Sequence, residues 1–435
     1  MPSGARSRPG SKGICAQVAA VAWLLSSAGV AHGAPALQTV GETSLGYTDN
    51  VESSPSTPVA GVPPKSGSPF SILRPGLVLT LSTQRSIHRL AYAFTDIVFF
   101  EGSPTQNSLA NRLDYQGFVD VSRSTSLLLD ANVNQTRTDA ASGLGQDASL
   151  LPGATPYLGA TADELLSVEL AAEWRAWEGA DFLLQTPLSA GPNPQTTSLG
   201  ARTGVERAWR SDAVGVEARV NDTIIQNSVL LDGSPAGTQK ELTTTGVGRW
   251  RHDLGRHFTD RVEAGVMRVE RLNTDAGFWS PTGTAALTYT DDQGELELSY
   301  AHTMTSNLLL GQYLLVDEIR LHGALPLLRR PAVLLAASAG YQAGQLLNED
   351  TSVAAHVDTF LVDVGVTCQV ADPVLLGLRY QYVQRWSDVS LPPLPLSFTR
   401  NTVLMTATIK WPPDREMPRR YRAPVRVDRT DEVRE

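Results

Sequence analysis

From residue 166 to 174 the chain alternates, with Leu166, Val168, Leu170, Ala172 and Trp174 on one side and Ser167, Glu169, Ala171 and Glu173 on the other. A period of two belongs to an extended strand with two unlike faces; a helical repeat would mix the two sets. The rhythm returns in Val214, Val216, Ala218 and Val220 against Gly215, Glu217, Arg219 and Asn221. It returns again in Leu296, Leu298 and Tyr300 against Glu297, Ser299 and Ala301, and in Phe360, Val362, Val364, Val366 and Cys368 against Leu361, Asp363, Gly365 and Thr367. One face is apolar and the other is polar or tiny.

About eighteen such segments follow one another between Leu37 and Trp411, or sixteen if the weak stretches 182–186 and 284–289 do not count. The connections alternate in length. Short turns are expected at 83–86, 122–124, 177–180, 210–212, 252–256, 291–294, 326–330 and 371–373, and long connections at 49–67, 138–163, 187–195, 224–239, 342–353 and 387–401. This is the pattern of an antiparallel transmembrane β-barrel of the outer-membrane kind, expected over 34–411. Pro75 removes a ladder donor from the second strand, so a bulge or a late strand start is expected there.

Aromatic residues mark the strand ends. Trp174, Trp209, Trp250 and Trp411, with Tyr289, end the strands running toward the short turns, and Tyr47, Phe99, Tyr341 and Trp386 end those running the other way. Amphipathic rings at both ends of apolar segments suit two lipid–water interfaces. With short turns on the periplasmic side, both termini are periplasmic and the strand count is even.

The two ends have their own composition. Arg6, Arg8 and Lys12 precede an apolar run from Ile14 to Leu25 and a small-residue site at Ala31-His32-Gly33, so 1–33 is expected to be a secretory signal peptide. Residues 412–435 form a charged tail, expected to be periplasmic, with Arg419, Arg420, Arg422, Arg426 and Arg429 at its centre. Past the leader no apolar run is long enough to span a bilayer as a helix, and Cys368 has no internal partner for a disulfide. A net charge of -9 argues against nucleic acid as a partner.

In a barrel the inward face carries function. The expected lumen residues are Arg89, Asp114, Asp130, Glu169, Glu173, Arg202, Glu206, Glu217, Arg219, Glu263, Glu297, Glu318, Arg320, Asp363, Arg379 and Lys410. Both signs are dispersed, which gives no single-sign ion filter. They are either solvated ion pairs that keep a wide lumen wet or, with the hydroxyls and amides between them, a wall along which a polar polymer slides. Eighteen strands at roughly 4.7 Å and a tilt near 40° enclose a circle on the order of 35 Å, with a bore of roughly 20 Å. The longest connection, with Leu150, Leu151, Tyr157 and Leu158, either plugs that bore or stays at the surface.

Six histidines after the leader, His88, His252, His257, His302, His322 and His356, are scattered without a nucleophile at a recurring relation. There is no phosphate-binding glycine loop and no cysteine pair for zinc. No catalytic, cofactor or metal site is expected.

The stretches Leu45-Gly46-Tyr47-Thr48-Asp49-Asn50-Val51 and Leu73-Arg74-Pro75-Gly76-Leu77-Val78-Leu79 resemble those of a family of β-barrel porins that begin Gly-Tyr-x-Asp-Asn-Val and continue with a Pro-Gly-Leu strand. Ala407-Thr408-Ile409-Lys410-Trp411 is similar to the aromatic-ended last strand read by the barrel-insertion machinery, although here a tail follows it. Within that family the chain most resembles the myxobacterial barrels that accompany a periplasmic polysaccharide-export protein lacking its own membrane part. The resemblance implies an outer-membrane exit channel for an exopolysaccharide, with lipid, that export protein and the polysaccharide as partners. A general diffusion porin and a structural or adhesive surface barrel are the alternatives.

Overall fold

A computed structural model describes residues 35–51, 53–55, 64–101, 107–138, 155–188, 194–229, 235–273, 276–291, 294–307, 312–329, 332–346, 355–387 and 397–412. The expected leader, the tail beyond Pro412 and residues 139–154 of the longest connection lie outside them.

The strands are β1 (Ala36–Thr48), β2 (Ser68–Ser82), β3 (Ser86–Phe99), β4 (Ser108–Asp120), β5 (Thr125–Thr138) and β6 (Thr155–Ala171). Then come β7 (Trp174–Pro187), β8 (Gln195–Trp209), β9 (Asp212–Val229), β10 (Pro235–Leu254), β11 (Phe258–Arg271) and β12 (Ala276–Asp291). The last six are β13 (Gly294–Asn307), β14 (Gln312–Arg329), β15 (Ala332–Leu346), β16 (Ala355–Ala371), β17 (Val374–Ser387) and β18 (Phe398–Trp411).

Every strand pairs antiparallel with its neighbours in sequence, and β1 also pairs with β18 from Thr39↔Trp411 to Thr48↔Thr402. The sheet closes into an eighteen-strand barrel. Closure satisfies the backbone N–H and C=O groups that an open edge would leave bare in hydrocarbon, which is why a barrel crosses a bilayer and an open sheet does not. Both described chain ends lie at the rim of short turns.

The two faces are told apart by reach. Arg249 on β10 stacks over the ring of Trp177 on β7, 5.3 Å from its centroid, three strands away. Such a contact is open only to side chains converging on the concave side. The polar set is therefore inside, and the convex side carries exposed apolar residues such as Leu73, Val216, Val266, Leu298, Ile319, Leu378 and Met405. At the short-turn rim Trp174, Trp209, Trp250 and Trp411 are exposed on that outer side, and at the opposite rim Tyr47, Trp279, Tyr341 and Trp386.

Several expectations need correction; the turn expected at 326–330 is one, since β14 runs on to Arg329. The turn placed at 177–180 lies at 172–173, because a bulge between Glu169 and Ala171 ends β6 early; Trp174 thus begins β7 instead of ending β6. β9 and β10 extend well into the expected connection 224–239, and β6 into 138–163, so Tyr157 and Leu158 are wall residues. Phe99 does not face lipid but points inward, where it is buried. Pro75 causes no bulge: the pairs Leu73↔Asp96 and Gly76↔Ala93 keep one register across it. The weak stretches 182–186 and 284–289 are parts of β7 and β12.

Ile319, exposed on the outer face near the middle of β14, is expected to tolerate arginine poorly. Ile319→Arg should cost roughly 2–4 kcal/mol of folding stability in vesicles. Gln116→Arg, on the solvent-reaching inner face, should leave the urea unfolding midpoint nearly unchanged.

Candidate functional site

The inner wall of β6 to β11 carries a compact layer of charge. Arg175, Arg202, Arg219, Arg249, Arg251 and Arg261 share the inward register with Asp163, Asp181, Glu206, Glu217 and Glu263, so six cations face five carboxylates. The six arginines line, with Glu206, Glu217, Glu263, Trp177 and Leu165, a recess of about 70 Å³. Glu217 is its hub. Its carboxylate is 2% exposed and accepts from Arg219, from Arg249 Nη1 at 3.0 Å and from Trp177 Nε1 at 2.9 Å. Glu263 accepts from Arg249 Nε at 2.7 Å and Arg219 Nη2 at 3.5 Å. Arg202 donates to both oxygens of Asp163 at 3.0 Å, and Arg175 pairs with Glu206.

One glycine makes this mesh fit. Trp177 lies across β8 at Gly204, where a Cβ would sit 2.3 Å from its Cζ2. Only a bare backbone lets the indole pass over β8 to reach Glu217 on β9 and Arg249 on β10. Sequence reasoning named Glu217, Arg219 and Arg202 but missed Trp177, which it placed in a turn, and Arg249, whose alternation with Val247 was a legible signal.

Elsewhere the inward charges stand in smaller groups. Asp363 accepts from Arg379 Nη2 at 2.7 Å and from Gln381 Nε2 at 3.2 Å, and Glu318 from Arg320 at 2.6 Å. Arg320 and Arg379 remain about half exposed inside a closed wall, so water reaches them. Asp114 accepts from Asn132 at 2.6 Å and pairs with Arg112; Asp130 faces Gln116; Glu297 accepts from Thr288 Oγ1 at 3.2 Å. Arg89 lies inward between Thr80 and Gln116, Glu169 opposite Arg175, and Lys410 beside Val40. Glu173 is different. It sits in the β6–β7 turn and pairs with Arg207, which stacks on the outward rings of Trp174 and Trp209. It belongs to the outer rim and not to the lumen, because the turn comes earlier than the alternation implied.

Toward the rim of long connections the inner face changes character. Phe70, Ile72, Ile97, Phe99 and Leu404 point inward and bury Val51, which follows β1. The segment that carries Val51 is pinned. Asn50 Nδ2 donates to Ser54 O at 2.7 Å and Thr399 O at 2.9 Å, Arg400 Nη1 donates to Ser53 Oγ at 3.0 Å, and Asp49 accepts from Asn401 N at 2.7 Å and Lys65 Nζ at 2.8 Å. The bore expected to be near 20 Å is therefore narrowed at this end by residues 49–51, 53 and 54.

The histidines do not form a catalytic set. His302 and Asp317 pair at 2.8 Å on the outer face beside Tyr300, and His252 pairs with Asp212 at the short-turn rim. Among the described residues no three His, Cys, Asp or Glu side chains form a metal-holding group.

No family model and no curated protein sequence matches the chain. Among solved structures it is similar to OccK2 (OpdF) of Pseudomonas aeruginosa, at 11% identity and a TM-score of 0.48, over 87% of this chain and 98% of that one. OpdK of the same organism, solved with vanillate, is similar at 8% and 0.45, over 86% and 99%. A BenF-like porin from Pseudomonas fluorescens Pf-5 is similar at 8% and 0.44, over 86% and 98%. At such identities these likenesses carry no residue and no substrate to this chain, and they lend no support to the narrower resemblance to exopolysaccharide-export barrels. Its own closure, apolar belt and aromatic rims make the chain an outer-membrane β-barrel of eighteen strands.

Two outcomes follow. Glu217→Ala leaves Arg219 and Arg249 to share Glu263 and the buried Trp177 Nε1 without its acceptor, and should cost roughly 3–5 kcal/mol, whereas Glu173→Ala, at an exposed pair, should cost under about 1 kcal/mol in the same urea titration. For Asp49, burial pushes the carboxyl up, but bonds from Asn401 and Lys65 outweigh it and hold the group below 3.8. A depressed folded value contributes stability that is complete above the unfolded value and lost as pH falls through the folded one. A fluorophore on Pro55→Cys, in a Cys368→Ser chain, should therefore report loosening only from about pH 4 downward, and Asp49→Asn should abolish that step.

Proposed function

We propose that the barrel is a passive outer-membrane channel for small polar solutes, with short turns and both termini on the periplasmic side. The observation that carries this reading is the inner wall: charged side chains line a closed barrel at mid-depth, and Arg320 and Arg379 there reach water. A polar, wetted lumen inside a lipid-facing shell is what passive diffusion requires. Near-balanced charge in the β6–β11 layer favours weak discrimination between anions and cations. Narrowing by the segment that carries Val51 favours small solutes over a polymer.

Export of an exopolysaccharide with a periplasmic partner is the reading that the sequence resemblance suggests. It requires the narrowed end to open, and no feature of the described wall favours a polymer. Solute-uptake rates in proteoliposomes separate the two. Sugars and amino acids should enter with the purified barrel alone, and the permeability ratio of anions to cations should lie near one. A folded barrel that admits no small solute, together with loss of secreted polysaccharide on gene deletion, would favour export instead.

A further inference from the structure

The recess beside the Glu217 mesh holds more positive charge than its ion pairs use. Six guanidiniums line it against three carboxylates, and each of the three is engaged. Glu206 pairs with Arg175, Glu217 accepts from Arg219, Arg249 and Trp177, and Glu263 accepts from Arg249 and Arg219. Arg202 is bound to Asp163, which does not line the recess. Arg251 has no ion-pair or hydrogen-bond partner among the described residues.

Register puts Arg251 where no carboxylate meets it. Across β9 to β12 the inward residues of its row are Ala213, Arg251, Arg261 and Ala286, each paired with the next. Two guanidiniums thus stand directly opposite each other between two alanines, and like charges so placed destabilise a ladder. The next inward residue of β10, Asp253, accepts from Thr259 Oγ1 at 3.2 Å. An anion shared by the two guanidiniums would turn the repulsion into attraction, and the planar fork of arginine matches phosphate oxygens two at a time. A recess of about 70 Å³ has room for several waters or for one tetrahedral oxyanion. We propose that Arg251 and Arg261 form a binding site for inorganic phosphate on the lumen wall of β10 and β11. Arg175 and Arg249 on the same recess add to the positive potential. The site rests on the wetted lumen of the channel reading and not on its conduction. Monovalent ions in the wider lumen still meet the near-balanced layer as a whole.

Calorimetric titration of the full chain in nonionic micelles, just above neutral pH where phosphate is mainly a dianion, tests the site without any flux. Phosphate should bind saturably, and acetate at least roughly tenfold more weakly. Glycerol phosphate, whose ester group needs more room, should also bind more weakly; tighter binding would overturn free phosphate as the ligand. Arg251→Gln should weaken phosphate binding at least roughly tenfold. Ala286→Glu, which keeps every arginine but sets a carboxylate opposite Arg261, should do the same. Arg112→Gln, which removes a half-exposed lumen cation on β4, should leave the affinity unchanged. In phosphate-free urea Arg251→Gln should unfold at no lower a midpoint than the parent, because it relieves a like-charge pair. Absence of saturable binding in the parent chain, or equal weakening by Arg112→Gln, would overturn the site. A lower urea midpoint for Arg251→Gln would do so too, by making Arg251 a structural group. Binding without solute uptake counts against the diffusion reading alone, and uptake without binding against the phosphate site alone.

Discussion

The seam between β1 and β18 is the constraint on which everything else rests. Ten residue pairs, from Thr39↔Trp411 to Thr48↔Thr402, join the first strand to the last across the whole chain. Without that seam two strands would present unpaired amides to hydrocarbon, each costing several kcal/mol, and no inside would exist in which charged side chains could be wetted. The seam also fixes alternation around the full circle. Inward Thr402, Thr406 and Thr408 on β18 meet inward Thr48, Ser44 and Glu42 on β1, so the polar face is continuous where the chain closes.

Inside, two different kinds of wall follow from one rule. At mid-depth the inward positions are Arg, Asp, Glu and Thr, and charge is held in pairs because a lone charge against low-dielectric walls would be costly. Near the rim of long connections the inward positions on β2, β3, β9, β11 and β14 turn apolar, and on β2 and β3 Val51 packs over them. The barrel is thus a polar tube with a greasy collar at one end.

Much of this was legible in the alternation. Eighteen segments, the sequence of short and long connections and the outward aromatic rims all rest on a period of two, which a strand imposes locally. The errors arose where one residue shifts the count. A bulge at Glu169 moved a turn from 177–180 to 172–173 and hid Trp177, and αL residues at Asn227 and Gly237 let strands continue where polarity suggested a loop. The site was half legible. Glu217, Arg219 and Arg202 could be named from their own strands, but their meeting with Trp177 and Arg249 depends on register across β7 to β10. The apolar collar was invisible because Phe70 and Phe99 look like lipid-facing residues until the covering segment is known.

The mesh around Glu217 has a mechanical side. Trp177, Arg249, Arg219 and Glu263 lace β7, β9, β10 and β11 to one another across more than nearest-neighbour distances, whereas the groups on β14 to β17 are short-range. One arc of the cylinder is therefore braced like a stiff plate and the opposite arc is hinged strand by strand. Thermal flexing must then ovalise the cross-section in a fixed direction, with the softer arc moving and the braced one holding its curvature.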